Sequence, residues 1–206
     1  MTVDRFVGCI AGAAFESGDA VVVGAWRSSP LGQFVDVMWV RPDGCRVLLA
    51  PTAAVGDYVG GLYSFDEVIV TPVRGGWDGG AVAVESGPLR ARMFAAPRDL
   101  RSWLFAIRPR RLRESPAWIG IEDRLARPVV GRIIGGAQGV HAAGVAPGGQ
   151  REFYGIADYR AVDGATLTVG GKDAGAARDL PADLGIGLSS FPTVPAVVHV
   201  TTLVEA

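Results

Sequence analysis

The stretch from Phe34 to Ala50, Phe-Val-Asp-Val-Met-Trp-Val-Arg-Pro-Asp-Gly-Cys-Arg-Val-Leu-Leu-Ala, constrains the fold more than any other part of the chain. Arg41-Pro42-Asp43-Gly44 combines a fixed φ, a turn-favouring carboxylate and a residue that accepts positive φ, so a bulged hairpin closes there. That register sets Val37 opposite Leu49, Trp39 opposite Val47 and Arg41 opposite Cys45. Strand side chains alternate between faces, so one face carries Val35, Val37, Trp39, Val47 and Leu49, and the other Phe34, Asp36, Met38, Leu48 and Ala50. Both faces are apolar. Such a hairpin is central in a two-sheet arrangement or lines a cavity inside a barrel.

Asp36 is the exception on its face, set between Phe34 and Met38. A carboxylate buried there must be paired, hydrogen-bonded or protonated, because burying it bare costs several kcal/mol. Arg27, Ser28 and Ser29 are near in sequence as partners. Two roles fit: a polar anchor in a ligand pocket, or a structural bond that pins the Pro30-Leu31-Gly32 bend.

With 206 residues and no linker-like stretch, the chain reads as one domain, residues 1–206. Its 49% hydrophobic content is high, yet no run reaches the roughly 18 consecutive apolar residues of a membrane helix. The surplus is expected in a large core, a cavity lining or a subunit interface, hence a homo-oligomer without a membrane partner. An acidic residue near the start and no continuous apolar region argue against a signal peptide. Cys9 and Cys45 make no disulfide framework, so a cytoplasmic protein with free thiols is expected. The net charge of −1 gives no field to draw nucleic acid. Lys172 is the sole lysine among the 20 basic residues, which fits a GC-rich genome.

Along the chain, Ala20–Val23 reads as a strand running into Trp26, and 52–61 as a loop or short helix. Leu62–Val73 reads as a strand, Arg74–Gly80 as a flexible tip, and Ala81–Glu85 with Leu89–Phe94 as a strand pair. Leu100, Trp103, Leu104 and Ile107 follow i, i+3, i+4, i+7, which predicts an amphipathic helix over 98–107 with those residues in the core. Ser115-Pro116 starts a second helix that Pro128 stops. Strands are expected at 129–134, 141–145 and 151–160, with a primed hairpin turn at Asp163-Gly164 leading to 165–169. A turn at 170–173 and a closing strand over 197–204 follow. The fold class is α+β, mainly antiparallel β, with about ten strands in a barrel-like or two-sheet fold, a central cavity, and two helices inserted near 98–127.

Motifs for defined chemistry are sparse. His141, His199, Cys9 and Cys45 lack metal-site spacing, and no metal or cofactor is indicated. No nucleophile elbow or phosphate-binding glycine loop is present. Arg108, Arg110, Arg111 and Arg113, with Arg90, Arg92, Arg98 and Arg101 upstream, face only Asp99 over that window. This is a patch for an anionic partner or a solvated linker. By strand parity, Tyr63, Tyr154 and Asp158 project inward with Asp36.

The run Arg27-Ser-Ser-Pro-Leu-Gly-Gln-Phe-Val-Asp-Val-Met-Trp39 resembles the S-P-x-G-x-[YF]-x-[ED] segment of the acetoacetate decarboxylase-like superfamily. The resemblance implies an antiparallel β-fold with a central cavity, Asp36 at the acidic position and Phe34 at the aromatic one. The chain is also similar to a family from GC-rich bacterial genomes in which Ile121–Pro128 and Arg151–Tyr154 recur, a likeness that implies no function. The decarboxylases act through a Schiff-base lysine. Lys172 stands in a Gly-Gly-Lys-Asp turn instead, so that reaction is not expected here. The reading is a protein of this β-fold that binds a small, largely apolar molecule with a polar end. Asp36 and Arg27 orient the ligand and Trp26, Phe34, Met38 and Tyr154 form the wall. The alternative is a structural or interaction protein acting as a homo-oligomer.

Overall fold

A computed structural model of the chain describes residues 3–107, 109, 143–147, 149–187 and 192–205. The hairpin forms as its register dictates. β3 (Phe34–Val40) and β4 (Arg46–Ala50) pair with Val37 opposite Leu49 and Trp39 opposite Val47. Gly44 takes φ +85° at the bulge, and the Arg41 N–H donates to the Cys45 carbonyl at 2.9 Å. β3 pairs on its other side with β2 (Ala20–Ser28), which pairs with β1 (Val3–Phe15). α1 (Ala53–Leu62) crosses from β4 to β5 (Glu67–Val70), the one strand that pairs in parallel among those described.

β1 pairs with β13 (Ala196–Glu205), and β13 with β10 (Arg151–Val169). β10 serves two parts of the sheet. Residues 151–161 run beside β13, and 162–169 beside β8 (Leu89–Ala95), which continues through β7 (Ala81–Ser86) to β6 (Val73–Trp77). β9 (Ala143–Val145) and β11 (Lys172–Asp173) add to β10, and β12 (Ala177–Arg178) to β1. The expected α+β class with mainly antiparallel sheet holds, but the path ends at β5 and β6, which do not pair with each other. The described sheet is therefore not closed into a barrel. A register shift between Val162 and Gly164 bends β10, so Asp163-Gly164 is a bulge inside one long strand and not a hairpin turn. The bend lays β6–β8 across β1–β4.

Both faces of the hairpin are buried against different partners. Val37, Trp39, Val47 and Leu49, with Val21 and Val23 of β2, meet Val84, Leu89, Met93 and Leu167 in the core between the two parts of the sheet. Phe34, Met38, Leu48 and Ala50 face outward beneath Val55, Val59 and Leu62 of α1. The Thr52 side chain caps α1, accepting from the Val55 N–H at 3.3 Å.

Four local expectations change. Leu62–Val73 is not one strand: α1 ends at Leu62, and the Arg46 guanidinium clamps Asp66 through bonds of 2.6 and 2.9 Å, fixing the turn into β5. Arg74–Gly80 is not a loose tip, since β6 occupies most of it; a Cβ at Gly75 would collide with the Ala83 carbonyl, so glycine permits the pairing. The helix near 98–107 is shorter and turned over. α2 (Leu100–Ala106) is capped by Asp99 and buries Ser102 and Phe105. Leu100, Trp103, Leu104 and Ile107 are 76, 55, 51 and 77% exposed. The Ser102 hydroxyl donates to the Tyr159 carbonyl of β10, and that bond selects the docked side. Three of the arginines upstream of 108 are also opposed: Arg90 pairs with Glu85 of β7, Arg92 with Asp78 just after β6 and Arg98 with Asp158 of β10. The second helix, the 129–134 strand, and Arg108, Arg110, Arg111 and Arg113 lie outside the described residues.

Leu48 is fully buried at the centre of the outer core. Leu48→Ala is expected to cost about 2–5 kcal/mol in urea unfolding, while Leu100→Ala, at an exposed position, stays within about 0.5 kcal/mol.

Candidate functional site

The outer face of the sheet carries a polar cluster beneath α1. Gly24 on β2 lies directly opposite Asp36 on β3. A Cβ at Gly24 would come within 2.5 Å of Asp36 Oδ1 and 2.7 Å of Trp26 Nε1, so glycine lets the two side chains meet across it. The Trp26 indole N–H donates to Asp36 Oδ1 at 3.0 Å. Phe6 of β1 packs edge-on to Trp26 and Phe34, with centroids 5.6 and 6.4 Å away, and lies 5.3 Å from the Tyr58 ring of α1.

A second polar knot closes the other side. Tyr63, the first residue beyond α1, donates its hydroxyl to Glu152 Oε1 of β10 at 2.6 Å, and Tyr154 donates to Glu152 Oε2 at 2.8 Å. Glu152 is 1% exposed. Thr202 of β13 stands opposite Tyr154, and its buried hydroxyl has no hydrogen-bond partner among the described residues. These groups, with Phe34, Met38, Val59 and Leu62, line a cavity of about 40 Å³.

Burial dominates the electrostatics. It pushes the Asp36 carboxyl up to about 7, the Trp26 N–H offsetting part of the rise. It also raises Glu152 against the two tyrosine hydroxyls that favour its charged form. Tyr63 is raised well above its ordinary value by burial and by the neighbouring Tyr154 and Glu152. Near neutral pH, Asp36 thus passes between a hydrogen-bond-donating acid and a carboxylate, in a largely apolar chamber. That arrangement can hold or exchange one proton with a small bound group.

Of the residues singled out in the sequence, Trp26, Phe34, Asp36, Met38 and Tyr154 line this cavity. Arg27, next to Trp26 on β2, lines a separate basin on the other side of the sheet. The partner of Asp36 is Trp26, not Arg27, Ser28 or Ser29; Ser29 pins the bend itself, donating to the Gly32 carbonyl at 2.7 Å. Tyr63 joins the cavity as parity suggested, but Asp158 does not. A bulge between Ile156 and Asp158 reverses the parity of β10 after Tyr154. Glu152, Thr202 and Tyr58 were missed. Glu152 was detectable, since it precedes Tyr154 by two residues in Arg151-Glu-Phe-Tyr154 and so shares its face.

No family model matches the chain, and no curated protein matches it. Among solved structures it is similar in fold to acetoacetate decarboxylase from Legionella pneumophila, with TM-score 0.45 and 9% identity over 99% of this chain and 85% of that one. A second acetoacetate decarboxylase structure gives TM-score 0.47 and 8% identity over 100% and 87%. The likeness is one of fold, and function rests on this chain's own residues.

Asp36 gives a signed stability prediction. Its folded value lies above the ordinary 3.8, so between about pH 4 and 7 the folded protein holds a proton that the unfolded chain releases, and stability falls as pH rises. Asp36→Asn keeps an oxygen for Trp26 and removes the titration. The variant is expected to match the parent near pH 4 and to exceed it by about 2–4 kcal/mol at pH 8, read from urea unfolding at both pH values.

Proposed function

We propose that the chain binds a small, neutral, largely apolar molecule through one hydrogen-bonding end in the cavity beneath α1. The observation that carries the reading is Asp36, 1% exposed and held by an indole N–H, facing a chamber whose remaining wall is mostly aromatic and aliphatic. A carboxyl kept there costs stability that a purely apolar residue would not. The unpartnered Thr202 hydroxyl supports the same reading, since a ligand oxygen satisfies it. One water needs about 10–15 Å³ on the same measure, so a cavity of about 40 Å³ suits a ligand of a few non-hydrogen atoms. A short-chain ketone or alcohol fits: its oxygen accepts from neutral Asp36 and its carbons lie against Phe6, Phe34 and Met38.

Arg27 belongs to a different surface and is left out of this ligand's contacts. Schiff-base chemistry is no part of the reading, because Lys172 is exposed at the β10–β11 turn and does not line the cavity. Straight-chain ketones and alcohols of about three to six carbons, followed by ligand-observed NMR, test the proposal. Saturable binding that peaks at one chain length is expected, and Gly24→Ala, which intrudes between Asp36 and Trp26, is expected to weaken it about tenfold. The idea fails if no member binds saturably and the native mass spectrum of the purified protein shows only bare polypeptide.

A second reading, an interaction role as a homo-oligomer, is favoured by a different observation. Leu100, Trp103, Leu104 and Ile107 on and just after α2 are exposed, as are Val68, Ile69 and Val70 on edge strand β5. Light scattering on a sizing column decides it: a multiple of the subunit mass supports it, and a monomer at micromolar concentration removes it.

A further inference from the structure

The concave side of the sheet holds a second, larger cavity that is unlike the first in every respect. It measures about 600 Å³ and opens over β1, β2, β10 and β13 beyond the edge of the inner core. Its polar wall is made by Arg27 of β2, Arg98 before α2, Asp158 and Arg160 of β10 and His199 of β13, with Trp77 of β6 on one side. The bulges that place these groups are visible in the pairing. One falls between Val7 and Gly8 in β1, the other between Ile156 and Asp158 in β10. The second brings Asp158 and Arg160 to the basin while Glu152 and Tyr154 stay with the outer cavity.

The charges do not balance. Asp158 is 4% exposed and serves two guanidiniums, with Oδ2 at 3.0 Å from Arg98 Nε and 3.4 Å from Arg160 Nε. The second contact is not aligned for a hydrogen bond, since the buried Arg160 Nε has no such partner. Arg27 carries no ion pair or hydrogen bond among the described residues. Among the described residues, three guanidiniums against one carboxylate leave two positive charges in excess at one concavity. His199 adds none at neutral pH: burial lowers its pKa from 6.5, Asp158 opposes this, and Arg160, Arg98 and Arg27 add to it. Its ring stands edge-on to Trp77 at 4.9 Å, and the Arg160 guanidinium lies 5.8 Å from the Trp77 ring. Arg27 and Arg160 thus stand on strands β2 and β10, Arg98 is tied to β10 through Asp158, and Trp77 walls Arg160 and His199.

We infer that this basin is a binding site for a small organic dianion, its acidic groups held by Arg27, Arg98 and Arg160. Guanidinium forks match carboxylate and phosphate oxygens. The volume lies within the ordinary range for small-molecule sites of about 300–1,000 Å³. The site is independent of the cavity beneath α1. Neither shares a lining residue with the other, and the proposed ligands differ in charge.

The chain has two histidines, which makes His199 a built-in reporter. Its imidazole proton signal, assigned with His199→Gln, is followed in the whole protein while phosphate or malonate replaces chloride at constant ionic strength. A bound dianion among the three arginines offsets their effect, so a saturable change and a rise of the His199 pKa by about 0.5–1 are expected. Arg27→Gln, at an exposed position, is expected to weaken binding about tenfold, and Asp36→Asn to leave it unchanged. Tighter binding of phosphate identifies a phosphoryl group as the natural head, and tighter binding of malonate a dicarboxylate. If neither anion moves His199 beyond chloride, or if Arg27→Gln and Arg98→Gln both bind like the parent, the inference is overturned.

Discussion

The part of the sheet built from β1 to β4 is buried on both of its faces, and the rest of the molecule follows from that constraint. A two-sided sheet has no solvent face on which to place polar residues, so each one it contains must find a partner within the protein or line a cavity. Asp36 meets the Trp26 indole, Asp19 at the entry to β2 accepts from the Trp39 indole at 2.7 Å, and Glu152 on neighbouring β10 takes two tyrosine hydroxyls. Indoles and phenols suit the task, because each supplies one donor on a body that is otherwise apolar. The glycine at position 24 belongs to the same solution. With any side chain at that position the Asp36–Trp26 bond has no room, and an isolated buried carboxyl would replace a paired one.

How much of this could be read beforehand depended on whether strand parity held. In the hairpin it did. A turn with one geometry fixed the register, and alternation then placed Val35, Val37, Trp39, Val47 and Leu49 on one observed face and Phe34, Asp36, Met38, Leu48 and Ala50 on the other. Parity failed wherever a strand bulged. Asp158 shares its parity with Tyr154 in sequence yet faces the other side, because one extra residue sits between them. Bulges leave little signature in a single sequence, and here they decide which polar groups meet. The Asp163-Gly164 pair shows the same difficulty from the other side: its turn chemistry is real, but the strand uses it to bend between two parts of the sheet instead of reversing.

The helix over 100–106 failed for a different reason. Its apolar residues have helical spacing, and period alone cannot say which side of a helix docks. Docking is settled by Ser102, whose hydroxyl reaches the Tyr159 carbonyl, and by Phe105 beside the Tyr159 ring. A short polar residue and one aromatic outweigh four larger apolar side chains, because they fit the strand surface that α2 meets. The same kind of long-range pairing explains why the arginines between 90 and 98 looked unopposed. Glu85 and Asp78 precede the stretch that begins at Arg90, and Asp158 lies far beyond it on β10, so counting charges within that stretch misses all three partners.

Two chemically opposite cavities therefore share one set of strands. On β2, Trp26 turns to the outer cavity and Arg27 to the basin. On β13, Thr202 faces the cavity while His199 and Thr201 face the basin. On β10, Glu152 and Tyr154 serve one site and Asp158 and Arg160 the other. The outer site collects carboxyls and hydroxyls under apolar cover, where burial favours neutral forms. The inner one collects guanidiniums, which keep their charge in any protein environment and so demand counter-charge. Adjacent residues on one strand point to opposite faces, so a single peptide unit separates the two environments without mixing their chemistry. The sheet thus divides two environments of opposite chemistry while supplying polar residues to both.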